Sequence, residues 1–345
     1  MKPIKILAIQ FKYFGDAVIL TPALKAIVTQ IPNVQLHVLV AAEVAQLLDN
    51  LPWITKVWAM PRQRGKVRLL DALPFIQALR RENFDQSIDF GSNDRGALLS
   101  YLSGTKNRFG SVDRDDLKLV QRIGYTKIIR RKNPSAPYFD LHFELLQALN
   151  VKRPDLLKLE INIENIDIEF MSKIIPNNSI LCHISTSQPK KDWPLSHWEK
   201  LYKLAHQAGL RLIFSAGPNE RERKILAELK LLAPGVEVLP AIEDLKIFLA
   251  VLKSLKIFVS GDTGPLHFAE GLGVPVLGIF GVGNSLRQVA PLYSRNEIVC
   301  AADCACDILN NSTDTCQVSI SCMSIIQPET VFLRLNNILS ILNNN

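Results

Sequence analysis

Residues 260–281 read Ser-Gly-Asp-Thr-Gly-Pro-Leu-His-Phe-Ala-Glu-Gly-Leu-Gly-Val-Pro-Val-Leu-Gly-Ile-Phe-Gly. The pattern is strand, tight turn, helix, strand. Lys256–Val259 has the β-rich composition of a buried strand before it. Gly261 and Gly264 flank Asp262 and Thr263 in a turn too close for bulky residues. Pro265 suits the first turn of a helix, and Gly271 and Gly273 suit its end. Such a helix start aims unpaired N–H groups and a partial positive charge at the turn, where a phosphate or pyrophosphate can sit. A glycine-rich βα turn that binds nothing has the same local sequence.

The same alternation extends in both directions. On the N-terminal side the pattern predicts strands over 4–10, 34–40, 56–59 and 84–89. Helices are predicted over 17–30, with Pro22 as a kink, and over 41–50 and 69–82. Residues 150–178 are weakly patterned, carry Pro154, Pro176, Asn177 and Asn178, and read as an interdomain segment. The alternation restarts with strands over 180–184, 212–215, 236–239 and 275–280. Its helices fall over 196–208, 220–231 and 242–253, and a last helix follows Pro328. Strand–helix alternation with short Gly/Pro loops means parallel sheets covered on both faces. The expected organisation is an N-terminal domain over 1–160, a second over 161–326, and a C-terminal helix over 327–345 that packs back on the first domain. Ligands bind beyond the carboxyl ends of such strands. Asp16, Ser185–Lys191, Gly217 and Asp262 all fall there.

The 345 residues are 48% hydrophobic and 21% charged, which describes a folded chain long enough for two domains. No apolar run reaches the roughly 18 residues that cross a bilayer. The short apolar N-terminus reads as a first buried strand rather than a signal peptide, which makes a cytoplasmic protein the expectation. The net charge of +7 is uneven. Residues 62–132 hold 16 Lys/Arg against 8 Asp/Glu, so the remainder is close to neutral. Such a field suits an anionic membrane, a phosphorylated substrate or nucleic acid, or is simply a solvated surface. Aromatic residues are not interleaved with the charges as a base-stacking platform requires, so no nucleic-acid partner is expected.

With these features in place, the chain resembles glycosyltransferase family 9, the lipopolysaccharide heptosyltransferases. The resemblance rests on Lys5-Ile6-Leu7-Ala8-Ile9 and on the stretch Gly15-Asp16-Ala17-Val18-Ile19-Leu20-Thr21-Pro22-Ala23-Leu24. It continues through Asp89-Phe90-Gly91-Ser92, Ser103-Gly104, Arg108-Phe109-Gly110 and Lys191-Asp192-Trp193-Pro194. The 260–269 stretch follows, then Cys322-Met323-Ser324-Ile325 with Pro328-Glu329-Thr330-Val331. It implies an α/β protein of GT-B fold, with two Rossmann-like domains facing a central cleft. It also implies transfer of heptose from ADP-heptose, with inversion, to the inner core (Kdo/heptose) of lipopolysaccharide. No metal or other cofactor is required in the family. The expected partners are ADP-heptose, a lipid A-bearing core acceptor and, peripherally, the inner face of the inner membrane. A monomer is expected.

The residue roles follow from the same resemblance. Asp16 matches the general base that takes the proton of the acceptor hydroxyl; a helix-dipole carboxylate is its ordinary structural use. Lys191 matches the lysine before the Trp-Pro pair, where an ammonium neutralises the departing diphosphate, and neighbouring Lys190 is the alternative. Ser185, Thr186 and Ser187 are candidate phosphate hydroxyls or plain loop residues. Asp262 matches the residue near the donor sugar's hydroxyls. Thr263, Gly264 and Leu266 are candidate N–H donors around the diphosphate; Pro265 shapes the turn but has no N–H. His267 either reaches this site or packs its helix. Glu220 is the candidate ribose acid or an exposed helix-start residue. Arg62, Arg64, Lys66 and Arg68 lie in a loop that faces the anionic acceptor in the family. No acceptor role is carried onto His142, and Asp113-Arg114-Asp115 reads as surface.

Cys300, Cys304, Cys306, Cys316 and Cys322 crowd one segment. Reduced structural thiols, a structural zinc site and disulfides all remain open, although no C-x-x-C pair is present. Other readings of the chain are a family member with a different nucleotide sugar or acceptor, and a non-catalytic nucleotide-binding protein. A nicotinamide dehydrogenase is disfavoured because Gln10–Asp16 lacks Gly-x-Gly-x-x-Gly.

Overall fold

A computed structural model describes residues 2–61, 69–112, 117–133, 136–163, 173–281, 295–301 and 321–344. The contacts divide the chain into two compact units, Met1–Asn162 and Ile163–Asn345. The first holds β1 (Ile4–Gln10), β2 (Val34–Ala41), β3 (Lys56–Met60), β4 (Gln86–Asp89), β5 (Asn107–Val112) and β6 (Lys127–Arg130). The second holds β7 (Ile180–His183), β8 (Leu212–Ser215), β9 (Glu237–Val238), β10 (Ile257–Gly261), β11 (Val276–Phe280) and β12 (Glu297–Cys300).

Each unit builds one six-stranded sheet, and every strand pair is parallel. The orders are β3-β2-β1-β4-β5-β6 and β12-β11-β10-β7-β8-β9. Counted from its own first strand, the second sheet repeats the first. In both, the chain reverses direction across the sheet between the first and fourth strands, which opens a crevice beyond their carboxyl ends. The strand sequences explain why both sheets are central layers. Ile6, Leu7, Ala8 and Ile9 are all 0% exposed, so side chains on both faces are covered. The same holds for Ile257, Phe258 and Val259 in β10.

The structure departs from the pattern reading in several places. The helix expected over 17–30 is two helices, Phe14–Ile19 and Thr21–Gln30. Pro22 has no N–H and its ring would strike the Val18 carbonyl in a continuous helix, so it opens a new one instead. The Thr21 hydroxyl donates to that carbonyl at 2.7 Å. Within 41–50 only Ala42–Ala45 is helical. Part of the expected interdomain segment belongs to the first unit. Val151, Leu157, Leu159 and Ile161 are buried, and Glu160 accepts a 2.8 Å hydrogen bond from the Trp53 indole.

The last helix, Pro328–Asn343, was expected to return to the first domain. Its apolar stripe lies in the core of the second unit. Val331, Leu335 and Ile338, all 0% exposed, pack in one cluster with Trp198, Phe214 and Ile279. The periodicity revealed the stripe but not its destination. The chain just before this helix is pinned as well: the Ile326 carbonyl accepts from the Trp193 indole at 3.0 Å.

One carboxylate is sealed into the first unit at the carboxyl end of β4. Asp89 is 0% exposed. Its Oδ1 accepts from the Gly91 N–H at 2.9 Å, and its Oδ2 accepts from the Tyr125 hydroxyl at 2.5 Å. It lies against the backbone of the Asp94–Leu102 helix so closely that a Cβ on Gly96 would sit 2.2 Å from Oδ2. Burial drives its pKa up to about 6, against the pull of its hydrogen bonds.

Two outcomes follow for stability. Leu335→Ala should cost roughly 2–5 kcal/mol by leaving a cavity, read as a drop in midpoint by denaturant unfolding; an unchanged midpoint contradicts the packing described for the last helix. Asp89 is held protonated in the fold to a higher pH than in the unfolded chain. Its contribution is therefore complete below the unfolded pKa and is lost as pH rises through about 6. Asp89→Asn stays neutral throughout, with its oxygen toward Gly91 and its amide toward the Tyr125 oxygen. The melting temperature of Asp89→Asn relative to the parent should thus climb between the two pKa values, and a pH-independent offset refutes the assignment.

Candidate functional site

In the second unit the loops after β7 and β10 meet at the point where the strand order reverses. Gly261 ends β10, and its backbone runs so near the β7 loop that an added Cβ would lie 3.1 Å from Thr186 Cγ2 and 3.5 Å from the Lys191 carbonyl. That approach brings together two charged groups from distant parts of the chain. The Lys191 ammonium donates to Asp262 Oδ2 at 2.6 Å. The lysine side chain is 28% exposed and the carboxylate 14%, so the pair faces solvent only in part.

The lysine is held by its own loop. Pro189–Lys191 is a single 3-10 turn. Asp192 next to it accepts from the Thr186 N–H at 2.8 Å through Oδ1 and from Arg221 at 2.5 Å through Oδ2. Arg221 also donates to the Thr186 carbonyl. The Thr186 hydroxyl donates to the Gln188 carbonyl at 2.7 Å. Ser185 is fully buried, accepts from the Gly217 N–H at 3.0 Å and donates to Glu222 at 3.3 Å. Of the three expected phosphate hydroxyls, Ser185 and Thr186 therefore brace the loop, and Ser187 is exposed.

Across the crevice the Gly264–Gly271 helix begins with Thr263 as N-cap and has Pro265 in its first turn. The Thr263 side chain makes no capping bond to this helix. The Leu266 N–H turns back to the Thr263 carbonyl at 3.2 Å, so it is not available as a donor to a ligand. Thr263 and Gly264 remain as the N–H groups that open the helix. His267 is 3% exposed, and among the described residues its Nδ1 has no hydrogen-bond partner. Burial lowers its pKa to about 4, Asp262 opposing and Lys191 assisting, so its ring is neutral at pH 7.

Glu220 is exposed at the first position of the Glu220–Leu232 helix. The carboxylate that turns inward is Glu222, 8% exposed and bonded to Ser185 and to the side chain of the N-cap residue Asn219. An added Cβ on Gly217 would strike it at 2.2 Å. Burial raises its pKa, and Ser185 and Arg221 counteract this. Asp192, Arg221 and Glu222 were all missed in the sequence reading. The signal was present at Arg221 and Glu222: the second and third residues of a helix capped by Asn219 point back at the preceding strand end.

In the first unit Asp16 lies beyond β1, at the equivalent reversal point, on the Phe14–Ile19 helix. Its Oδ2 accepts from the Tyr13 N–H at 3.2 Å, the return half of a capping box. Burial raises its pKa above the ordinary carboxylate value, while the Lys12 charge and the Tyr13 N–H hold it down. A half-buried, partly desolvated carboxylate at a strand end is suited to accept a proton. Beyond β4 stands Ser92, whose hydroxyl is 2.7 Å from that of Ser111, and Arg131, just after β6, donates to Ser111 at 3.1 Å. His142 is buried between the Phe90 and Tyr138 rings, and burial takes its pKa to about 3.

Arg62, Arg64, Lys66 and Arg68 lie outside the described residues, as do Asp113–Asp115 and Cys304, Cys306 and Cys316. Cys300 is exposed and Cys322 is buried. Among the described residues no group of three His, Cys, Asp or Glu side chains could hold a metal ion.

Residues 72–317 match the family model Glycosyltransferase family 9 (heptosyltransferase). The chain is 24% identical over 274 residues to the lipopolysaccharide core heptosyltransferase OpsX of Haemophilus influenzae, covering 78% of this chain and 76% of that one. Its backbone is similar to a glycosyl transferase family 9 structure from Veillonella parvula, with a TM-score of 0.81, 16% identity and 98% of each chain covered. It is similar too to E. coli heptosyltransferase WaaC solved with ADP, at a TM-score of 0.72 and 19% identity over 97% of this chain and 100% of that one. The GT-B fold class expected from the sequence is the fold found. With the family model matched over most of its length, and with the Lys191 and Asp262 loops at the reversal point of a parallel sheet, the chain belongs to glycosyltransferase family 9.

Proposed function

We propose that this protein transfers heptose from ADP-heptose to the inner core of lipopolysaccharide, with inversion at the anomeric carbon and without a metal ion. The observation that carries the reading is the Lys191–Asp262 pair beside the start of the Gly264–Gly271 helix. A diphosphate needs a cation and N–H donors, and this arrangement offers both. Lys191, rather than Lys190, is the lysine we assign to it. Thr263 and Gly264 supply N–H groups, Pro265 and Leu266 shape the turn, and neutral His267 lines it. Asp262 is left to meet hydroxyls of the sugar. Glu222, the inward carboxylate, suits the ribose hydroxyls better than exposed Glu220.

In the reaction, an acceptor hydroxyl oxygen attacks the anomeric carbon as its proton passes to the Asp16 carboxylate. The bond from that carbon to the β-phosphate oxygen breaks, and ADP leaves with the electron pair. Lys191 offsets the charge that grows on the leaving phosphate. Attack from the side opposite the leaving group inverts the configuration. The acceptor is a lipid-anchored anion. Arg62, Arg64, Lys66 and Arg68 suit its carboxylates and phosphates, and the enzyme works as a peripheral protein on the cytoplasmic face of the inner membrane. Among the described residues no helix is long and apolar enough to cross a membrane.

Asp16→Asn should lower the transfer rate by about 10²–10⁴, the range for loss of a general base. ADP-heptose should still raise the variant's melting temperature as in the parent. Product formation on defined core acceptors, followed by mass spectrometry, makes the comparison, and full activity in the folded variant sinks the assignment. Because burial raises the Asp16 pKa, kcat/KM of the parent should fall, as pH decreases, at a point above the ordinary carboxylate range.

A further inference from the structure

We propose that the exposed face shared by the Asp94–Leu102 and Leu119–Gly124 helices of the first unit docks the protein on an anionic lipid bilayer. The inference rests on the reading above that the acceptor is lipid-anchored, and it names the surface involved.

Four large apolar side chains on these two short helices face solvent: Leu98 at 46% exposed, Tyr101 at 50%, Leu119 at 72% and Ile123 at 49%. Leu98 and Tyr101 are three residues apart and Leu119 and Ile123 four apart, so each pair shares one helix face. The helices touch through their backbones. A Cβ on Gly124 would lie 2.6 Å from the Ala97 carbonyl oxygen. Arg108 then ties the two pairs together. It donates to the Gly124 carbonyl at 2.7 Å and to the Ile123 carbonyl at 3.2 Å, and its guanidinium lies 5.6 Å from the centre of the Tyr101 ring. Apolar groups that could have been polar at no cost to the core are therefore gathered in one place.

The charge around them selects the occupant. Residues 94–132 carry ten Lys/Arg against four Asp. Lys106, Lys118, Arg122, Lys127 and Arg130 are exposed around the two helices. Lys118 reaches Asp94 at 2.9 Å in a pair whose two members face solvent, and the local excess of charge stays positive. An apolar centre with a basic surround matches the boundary of an anionic bilayer, where Leu and Tyr enter among the headgroups and Lys and Arg stay at the phosphates. A second copy of the chain would set like charges against each other, which disfavours self-association through this face. The face is also linked to Asp16: the Arg95 guanidinium lies 4.5 Å from the Phe11 ring, on the segment that leads from β1 to Asp16. Docking here holds the Asp16 end of the first unit near the lipid surface.

The test is sedimentation of the full-length protein with phosphatidylcholine vesicles, with or without phosphatidylglycerol. Three variants are compared with the parent: Leu119→Asp with Ile123→Asp, Lys118→Gln with Arg122→Gln, and, as a control on another exposed leucine, Leu333→Asp. The parent and the control should bind the anionic vesicles, less at high salt, and ignore the neutral ones. Each double variant should bind at least about tenfold more weakly, since each basic group near an anionic surface contributes several-fold and each buried apolar group a similar factor. Melting temperatures and transfer to a lipid-free, water-soluble core acceptor should be unchanged. The proposal is overturned if either double variant binds like the parent, if neutral vesicles are bound equally well, or if neither vesicle is bound, the result expected of a protein partner. Loss of transfer to the soluble acceptor in the parent, with vesicle binding intact, would defeat the proposed reaction but not this surface.

Discussion

The near contact of the β7 and β10 loops is the constraint on which the second unit's chemistry depends. Parallel pairing sets the two strands side by side, and each ends in a loop that must turn away to start its helix. The loops run close at Gly261, where a side chain would press on Thr186 Cγ2 at 3.1 Å. Closure sets a lysine against a carboxylate 71 residues further along the chain. A lone ammonium in so confined a place would lose hydration without compensation. Asp262 supplies that compensation and fixes the ammonium in one position. Under the proposed reaction, an entering diphosphate would meet a cation already oriented and would have to compete with Asp262 for it.

The two units apply the same topology to different chemistry. In the second, the reversal point carries a cation, a helix start and small residues. In the first, it carries acids: Asp16 beyond β1, half-buried and titrating high, and Asp89 beyond β4, sealed and titrating near 6. Asp89 has no access to solvent and serves the fold. It joins the β4 end to Tyr125 and to the start of the next helix, and by doing so fixes the loop between them. The oxygens of Asp89 and Gln10 both lie 3.1 Å from where a Cβ on Gly91 would stand, so neither that glycine nor Gly96 can be enlarged without moving them.

Much of this was legible in the sequence. Short apolar strands alternating with helices point to parallel sheets covered on both faces, and the turn at 260–265 announced its loop and helix. Lys191 and Asp262 were each identified, but not their contact, because nothing local in either segment encodes proximity across the sheet. Glu222 went unread for lack of one fact: which side of a helix start faces the sheet depends on the strand it follows. Ser185 and Thr186 stood open between ligand and loop roles, because hydroxyls at a strand end serve loops and substrates alike. The last helix showed its apolar stripe, but a stripe does not name its partner. Asp89 lay within a recognised motif, and only burial revealed that its carboxylate is enclosed.

In the proposed reaction Lys191 exchanges Asp262 for the donor's diphosphate. Calorimetric titration of the parent and of Lys191→Met with ADP and with AMP tests it most directly. The parent should prefer ADP to AMP, and the variant should lose that preference, with AMP binding nearly unchanged. Equal preference for ADP in both proteins would contradict the account.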